Sequence, residues 1–128
     1  MPDPTPTVLI IDNDEGIVRA IQIRLESLGY RCATACSGAQ GISCYRGGGI
    51  DLVITDLNMP AGDGVTVVSA LREIGPVPII VVTGFREEYT RRLRDFDDVT
   101  TVEKPFNSNH LVDLVEAELM MAGRPLPA

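Results

Sequence analysis

Apolar positions along this chain recur with two different periods. Short runs rich in β-branched residues fall at 8–11, 30–35, 52–55, 79–83 and 99–103, the length and composition of strands. The runs at 52–55 and 79–83 are almost continuously apolar, which predicts central strands buried on both faces. Between the runs the spacing becomes helical. Ile17, Ile21, Leu25 and Leu28 form an i/i+4 stripe with Val18 beside it, entered through Asp14 and Glu15 and closed by Gly29. Val67, Val68 and Leu71 mark a helix over 64–74, and Ser108 is the candidate N-cap of one carrying Leu111, Val112, Leu114, Val115 and Leu119. Shorter helices are predicted over 37–46 and 86–95. The Gly47-Gly48-Gly49 run reads as a loop.

Five alternations of strand and helix predict an α/β fold, with a five-stranded parallel sheet doubly wound by helices on both faces. Folds of this type bind ligands beyond the carboxyl ends of the strands. With no internal repeat and no dividing linker, a single domain is expected over 6–122, with flexible tails at 1–5 and 123–128.

Composition narrows the function classes. The chain has 128 residues, 45% hydrophobic and 23% charged, enough for a core without disulfides or structural metal. A net charge of −7 argues against direct binding to nucleic acid or to an anionic membrane. No apolar run approaches the roughly 20 residues that span a bilayer, and the start, MPDPTPT, lacks the basic and apolar regions of a secretory signal. Cys32, Cys36 and Cys44 are odd in number and lack zinc-like pairing, with His110 the single histidine. They are expected to be small buried or half-buried thiols in a reducing cytoplasm.

The chemistry gathers where the strands end. The first run leads into Asp12, Asn13 and Asp14, the third into Asp56, the fourth into Thr83, and the fifth into Lys104 and Pro105. A lone aspartate or threonine after a strand is ordinarily a cap or turn former. In a parallel sheet, however, all these ends share one crevice. Two neighbouring carboxylates need a cation or a proton between them, and hard oxygen ligands favour magnesium. Lys104 adds a charge suited to a phosphoryl oxygen, and Thr83 adds a hydroxyl donor. The set suits phosphoryl transfer to an aspartate.

The motifs "VLIIDND", "DLVITDLNMPAGDG", "PIIVVTG" and "EKPF", in this order and nearly standard spacing, resemble the receiver domains of two-component response regulators. The resemblance covers essentially the whole chain. It implies a flavodoxin-like fold with strand order 2-1-3-4-5. It also implies that Asp56 accepts a phosphoryl group from a sensor histidine kinase or phosphotransfer protein. Asp12, Asn13, Asp56 and the backbone carbonyl of Asn58 would hold Mg²⁺. Thr83 would move to hydrogen-bond the phosphoryl group and Lys104 would pair with it, passing the signal to a downstream output domain or partner protein. The segment Met59-Pro60 with Gly62-Asp63-Gly64 looks like the turn into the third helix. No external substrate is converted, only self-phosphorylation and autodephosphorylation.

Two positions depart from the family pattern. Asn13 stands where a second acidic residue is usual, which predicts weakened metal binding, with Asp14 more suited to capping the first helix. Thr101 stands where an aromatic switch residue is common, so Phe85 or Tyr89 is a candidate replacement. The charge-rich segment 86–95 is either a solvated face or part of a partner surface.

Three other classes compete. A receiver-like module without phosphate chemistry would fit Asn13 and Thr101 but leaves Asp12, Asp56, Thr83 and Lys104 unexplained. A small aspartate-nucleophile phosphatase of the haloacid dehalogenase type would match "DND", but Gly16 and the lack of an acidic pair after Lys104 oppose it. A flavodoxin-like phosphate binder needs a first loop rich in glycine and hydroxyls, which an acidic loop is not.

Overall fold

The computed structural model describes residues 5–59, 62–84 and 99–127, without the side chains of 58, 59 and 62–64. The sheet strands are β1 (Thr7–Ile11), β2 (Arg31–Ala35), β3 (Leu52–Asp56), β4 (Ile79–Thr83) and β5 (Val99–Glu103). The helices are α1 (Glu15–Ser27), α2 (Gly38–Arg46), α3 (Gly64–Ile74) and α4 (Ser108–Met121). All four strand pairings are parallel, in the order β2-β1-β3-β4-β5. That is the expected 2-1-3-4-5 arrangement. A two-residue antiparallel ladder, Asn58 opposite Asp63 and Met59 opposite Gly62, links β3 to α3.

Strand alternation sorts the core into two layers. Leu9, Ile11, Val53, Ile79 and Val81 face a layer completed by Val67, Val68 and Leu71 of α3, with Ile42 and Tyr45 of α2 packed against it. Val8, Ile10, Leu52, Ile54, Ile80 and Val82 face the other layer, completed by Ile21 and Leu25 of α1 and Leu111, Val115 and Leu119 of α4. Both β3 and β4 are buried along their whole length, as continuously apolar central strands should be.

Local signals fix the helix ends. The Asp14 carboxylate accepts from the backbone N–H groups of Gly16 and Ile17, so it caps α1. Gly29 follows the C-cap at φ 95°, a left-handed conformation that opens the chain toward β2. Ser37 caps α2 through the N–H of Gln40. For α4 the cap is Asn107, whose side chain accepts from the Asn109 N–H, and Ser108 is the first helical residue. Both are good cap types, and their order along the sequence does not separate them.

One expectation changes. Cys32 and Cys44 are half-buried as expected, whereas Cys36, just past β2, is exposed. Residues beyond α4 meet the rest of the domain at two places. The Arg124 guanidinium pairs with the Asp51 carboxylate at 2.9 Å, and the other Asp51 oxygen accepts from the Thr7 N–H. Pro127 lies over Gly29, where an added Cβ would meet it at 3.0 Å. The helix over 86–95, the switch candidates Phe85 and Tyr89, and residues 1–4 lie outside the described residues. No helix among the described residues is long and apolar enough to cross a membrane.

Among the described glycines Gly41 is the most closely packed, because a Cβ there would overlap Cδ1 of the buried Ile11 and sit 2.7 Å from its Cγ1. Alanine would gain up to about 1 kcal/mol of helix propensity, but overpacking a full core costs about 1–3 kcal/mol. Gly41→Ala is therefore expected to lower stability in denaturant unfolding. In the Ile11→Val background the same change should cost less, giving a measurable coupling between the two sites.

Candidate functional site

The parallel register sets the level of each residue at the strand ends. Ile11 pairs with Thr55, so Asp12 and Asp56 stand side by side one step further on. Thr83 pairs with Glu103, which places Lys104 one residue beyond on the next strand. The expected site residues therefore occupy the carboxyl edge of β1, β3, β4 and β5. Asp56 and Thr83 are the last residues of their strands rather than the first residues beyond them. β1 has β2 on one side and β3 on the other, so the crevice lies where the strand order reverses.

Side-chain parity aims the charged groups together. Asp12 continues the alternation of Val8 and Ile10, Asp56 that of Leu52 and Ile54, and Lys104 that of Val102, all on the α1/α4 side. Asp12 is 3% exposed and Asp56 5%. The Lys104 ammonium reaches both, 3.5 Å from Asp12 Oδ2 and 3.4 Å from Asp56 Oδ2. The Lys104 side chain keeps 25% of its surface in solvent, so the site opens outward at the lysine.

The backbone holds this cluster from behind. The Asp12 N–H donates to the Ala35 carbonyl at 3.1 Å, tying β1 to the end of β2. The Asp14 N–H donates to Asp12 Oδ1 at 2.9 Å, so one carboxylate oxygen faces the loop while the other faces Lys104. The Lys104 N–H donates to the Thr83 carbonyl at 2.8 Å. Thr83, fully buried, has the side-chain parity of Ile79 and Val81. Its backbone, through that carbonyl, makes the direct link to the lysine. Asn13 is exposed, and Asn58 lies two residues past Asp56 in the short ladder. Thr101 is half-buried in β5 opposite Val81.

Thr55 escaped the sequence reading because it sits in a run of β-formers. It is fully buried, and its hydroxyl donates to the Asp56 carbonyl at 3.1 Å. A polar residue inside a strand otherwise buried and apolar is the signal that marks it.

Two buried carboxylates around one ammonium carry excess negative charge, and their oxygens are hard donors suited to magnesium. Among the described residues no three His, Cys, Asp or Glu side chains form a metal-holding group. A magnesium ion here would rely on Asp12, Asp56, neutral oxygens and water, the coordination it commonly accepts.

The Asp12 carboxyl is pushed above its ordinary value of 3.8, first by burial and then by the Asp56 charge, against the Asp14 N–H and Lys104, which favour the ionised form. A carboxyl raised in the folded state contributes most below the ordinary value and loses that contribution as pH rises through the raised one. At neutral pH, without metal, the ionised Asp12 is then a net cost. Asp12→Asn should raise the thermal midpoint at pH 7 in EDTA, and the gain should shrink as pH falls toward 4. A midpoint unchanged at both pH values would contradict this.

Comparison with known proteins places this geometry. Residues 8–116 match the response regulator receiver domain family. The chain is 33% identical over 124 residues to the transcriptional regulatory protein PrrA of Mycobacterium tuberculosis, covering 93% of this chain and 52% of that protein. It is 32% identical over 120 residues to the probable transcriptional regulator ycf27 of Cyanidium caldarium, covering 88% and 45%. It thus spans about half the length of these curated relatives. Among solved structures, chemotaxis protein CheY4 of Vibrio cholerae superposes with a TM-score of 0.84 at 25% identity, over 90% of this chain and 99% of that one. The receiver domain of the hybrid histidine kinase CckA superposes with a TM-score of 0.76, also at 25% identity, over 88% and 98%. With its strand order and the family match in agreement, the chain belongs to the response regulator receiver domains of two-component systems.

Proposed function

We propose that this domain is a phosphoacceptor that takes a phosphoryl group onto Asp56 from a phosphohistidine of a sensor kinase or phosphotransfer protein. The observation that carries this reading is the convergence of Asp12, Asp56 and Lys104, with both carboxylates buried and within 3.5 Å of one ammonium. An Asp56 carboxylate oxygen gives a lone pair to phosphorus as the P–N bond of the donor breaks. The imidazole leaves with that bond's electron pair. Lys104 neutralises charge on the moving phosphoryl oxygens and holds the acceptor in place.

Asp12, Asp56, Asn13 and the Asn58 carbonyl would hold magnesium, which when bound would supply charge neutralisation for the transfer. After transfer the single charge of the Asp56 carboxylate would be replaced by an acyl phosphate carrying about 1.5 to 2 negative charges, a net gain of about one at most. Thr83 then hydrogen-bonds the phosphoryl group and Lys104 shifts toward it, carrying their strand ends along. The domain converts no external substrate and acts in the cytoplasm through a partner or output domain. The relatives named as transcriptional regulators make a DNA-directed output one form of that partner.

Incubation with phosphoramidate and magnesium should add one acid-labile phosphoryl mass to the protein, absent in Asp56→Asn. No adduct on the wild type would favour a phosphorylation-independent interaction module. An adduct surviving in Asp56→Asn would move the chemistry to another residue.

Asn13 is exposed and uncharged, and Asp14 is committed to the α1 cap. The site therefore lacks one carboxylate that its family commonly supplies. Asn13→Asp should tighten magnesium binding several-fold when phosphorylation is titrated with the metal. Equal affinity in both proteins would show that the amide serves as well as a carboxylate.

A further inference from the structure

The end of β3 has two requirements that meet in one residue. Asp56 must point its carboxylate to the α1/α4 side, toward Lys104, while Leu57, buried at 2% exposure, anchors the α2/α3 side. Between Val53 and Leu57 on that second side stands Thr55, fully buried in an apolar layer. A hydroxyl there must find an acceptor or lose hydration without return. It donates to the carbonyl of Asp56 at 3.1 Å.

The position of that carbonyl matters. The β1–β3 ladder ends at Ile11 opposite Thr55, so the Asp56–Leu57 peptide lies just past the last β1 pairing. On the other side the β3–β4 ladder closes with Asp56 opposite Val82. The orientation of this peptide sets how the chain leaves Asp56 and enters the two-residue ladder at Asn58. It is also bonded to the Cα that carries the acceptor carboxylate.

We propose that Thr55 is a positioning residue for phosphoryl transfer: its hydroxyl holds the Asp56 carbonyl and so fixes the acceptor carboxylate against Lys104. This rests on Asp56 being the acceptor. Thr55 touches no reacting atom and acts only through the backbone of Asp56. The restraint is geometric. Displacements of about 1 Å from outside the reacting groups can cost on the order of a hundredfold in rate.

The alternative, that Thr55 only fills core volume, differs in what valine would do. Valine has the same shape, keeps the strand preference and buries no hydroxyl. If volume is the whole role, Thr55→Val should leave phosphorylation unchanged. If the hydroxyl positions Asp56, stability and rate should separate.

The test uses the full chain in three forms, wild type, Thr55→Val and Thr55→Ser, with phosphoramidate and magnesium as the probe. Thermal unfolding should show Thr55→Val fully folded at the assay temperature, with at most a modest loss of midpoint from the hydrogen bond lost at the Asp56 carbonyl. Its maximal rate of adduct formation should fall about tenfold at an unchanged half-saturating donor concentration. Thr55→Ser, which restores the hydroxyl and lacks only the methyl, should return to within about twofold of wild type. A wild-type rate in Thr55→Val would overturn the proposal, as would a loss in Thr55→Ser as large as in Thr55→Val, because that loss would follow the methyl.

The carboxyl-carbon NMR resonance of Asp56, followed without any donor, separates this proposal from the functional reading. A resonance displaced in Thr55→Val and restored in Thr55→Ser supports positioning even if the wild type forms no adduct, in which case the acceptor assignment alone falls. A resonance identical in all three proteins overturns the positioning role whatever the adduct shows.

Discussion

The placement of one ammonium between two buried carboxylates is the constraint on which the rest of this fold turns. At about 3.5 Å and an effective dielectric near 20, each contact with Lys104 contributes about 5 kcal/mol of gross attraction. Removing two carboxylates and a lysine from water costs several kcal/mol per ion. The cluster is therefore a poor source of stability and needs a rigid frame to exist. The frame is the parallel register: Ile11 against Thr55, Asp56 against Val82, and Thr83 against Glu103. A one-residue slip in β3 would turn Asp56 into the apolar α2/α3 layer and Thr55 toward Lys104. The full burial of β3 and β4 makes such a slip expensive, since it would exchange every side chain between two cores.

The parts legible in the sequence were those governed by period and by repeated chemistry. The bounds of β4 and α3 follow from runs of Ile, Val and Leu that admit one phase, and those of β5 from the β-branched stretch 99–102. Asp12, Asp56, Thr83 and Lys104 could be collected from distant positions because parallel strands bring their carboxyl ends to one edge. What stayed hidden depended on contacts with no sequence period. The pairing of Arg124 with Asp51 is one such contact: nothing near Arg124 in sequence reveals Asp51, which lies just before β3 and also accepts from the Thr7 N–H. Cys36 looked like a core thiol by type, but one step past β2 it leaves the sheet and becomes exposed. Thr55 reads as an ordinary strand residue until its burial and its bond to the Asp56 carbonyl are seen.

The two helix layers contribute unequally to the site. Asp12, Asp56 and Lys104 extend the α1/α4 layer, so the packing of Ile21, Leu25, Leu111 and Val115 forms the floor beneath them. The α2/α3 layer reaches the site indirectly, through Thr55, Leu57 and the parity of Thr83. The charged groups meet on one side of the sheet, while the Asp56 carbonyl is held from the other.

If Asp56 takes a phosphoryl group as proposed, Asn13 would change the electrostatics of that transfer in two opposed ways. Before transfer, two carboxylates and one ammonium leave a single net negative charge in the cluster. A second loop carboxylate would double it and draw a divalent cation more strongly. After the proposed transfer, an acyl phosphate of about 1.5 to 2 negative charges would stand where the Asp56 carboxylate carried one, a net gain of about one at most beside Asp12. A neutral Asn13 then spares the product a like-charge neighbour at the mouth of the pocket, where its exposure already lets water screen the field. On the proposed reading, the same amide would weaken both the hold on metal and the repulsion acting on a phosphorylated state. Metal affinity and product stability would then respond to one side chain in opposite directions, with Lys104 the charge against which both are balanced.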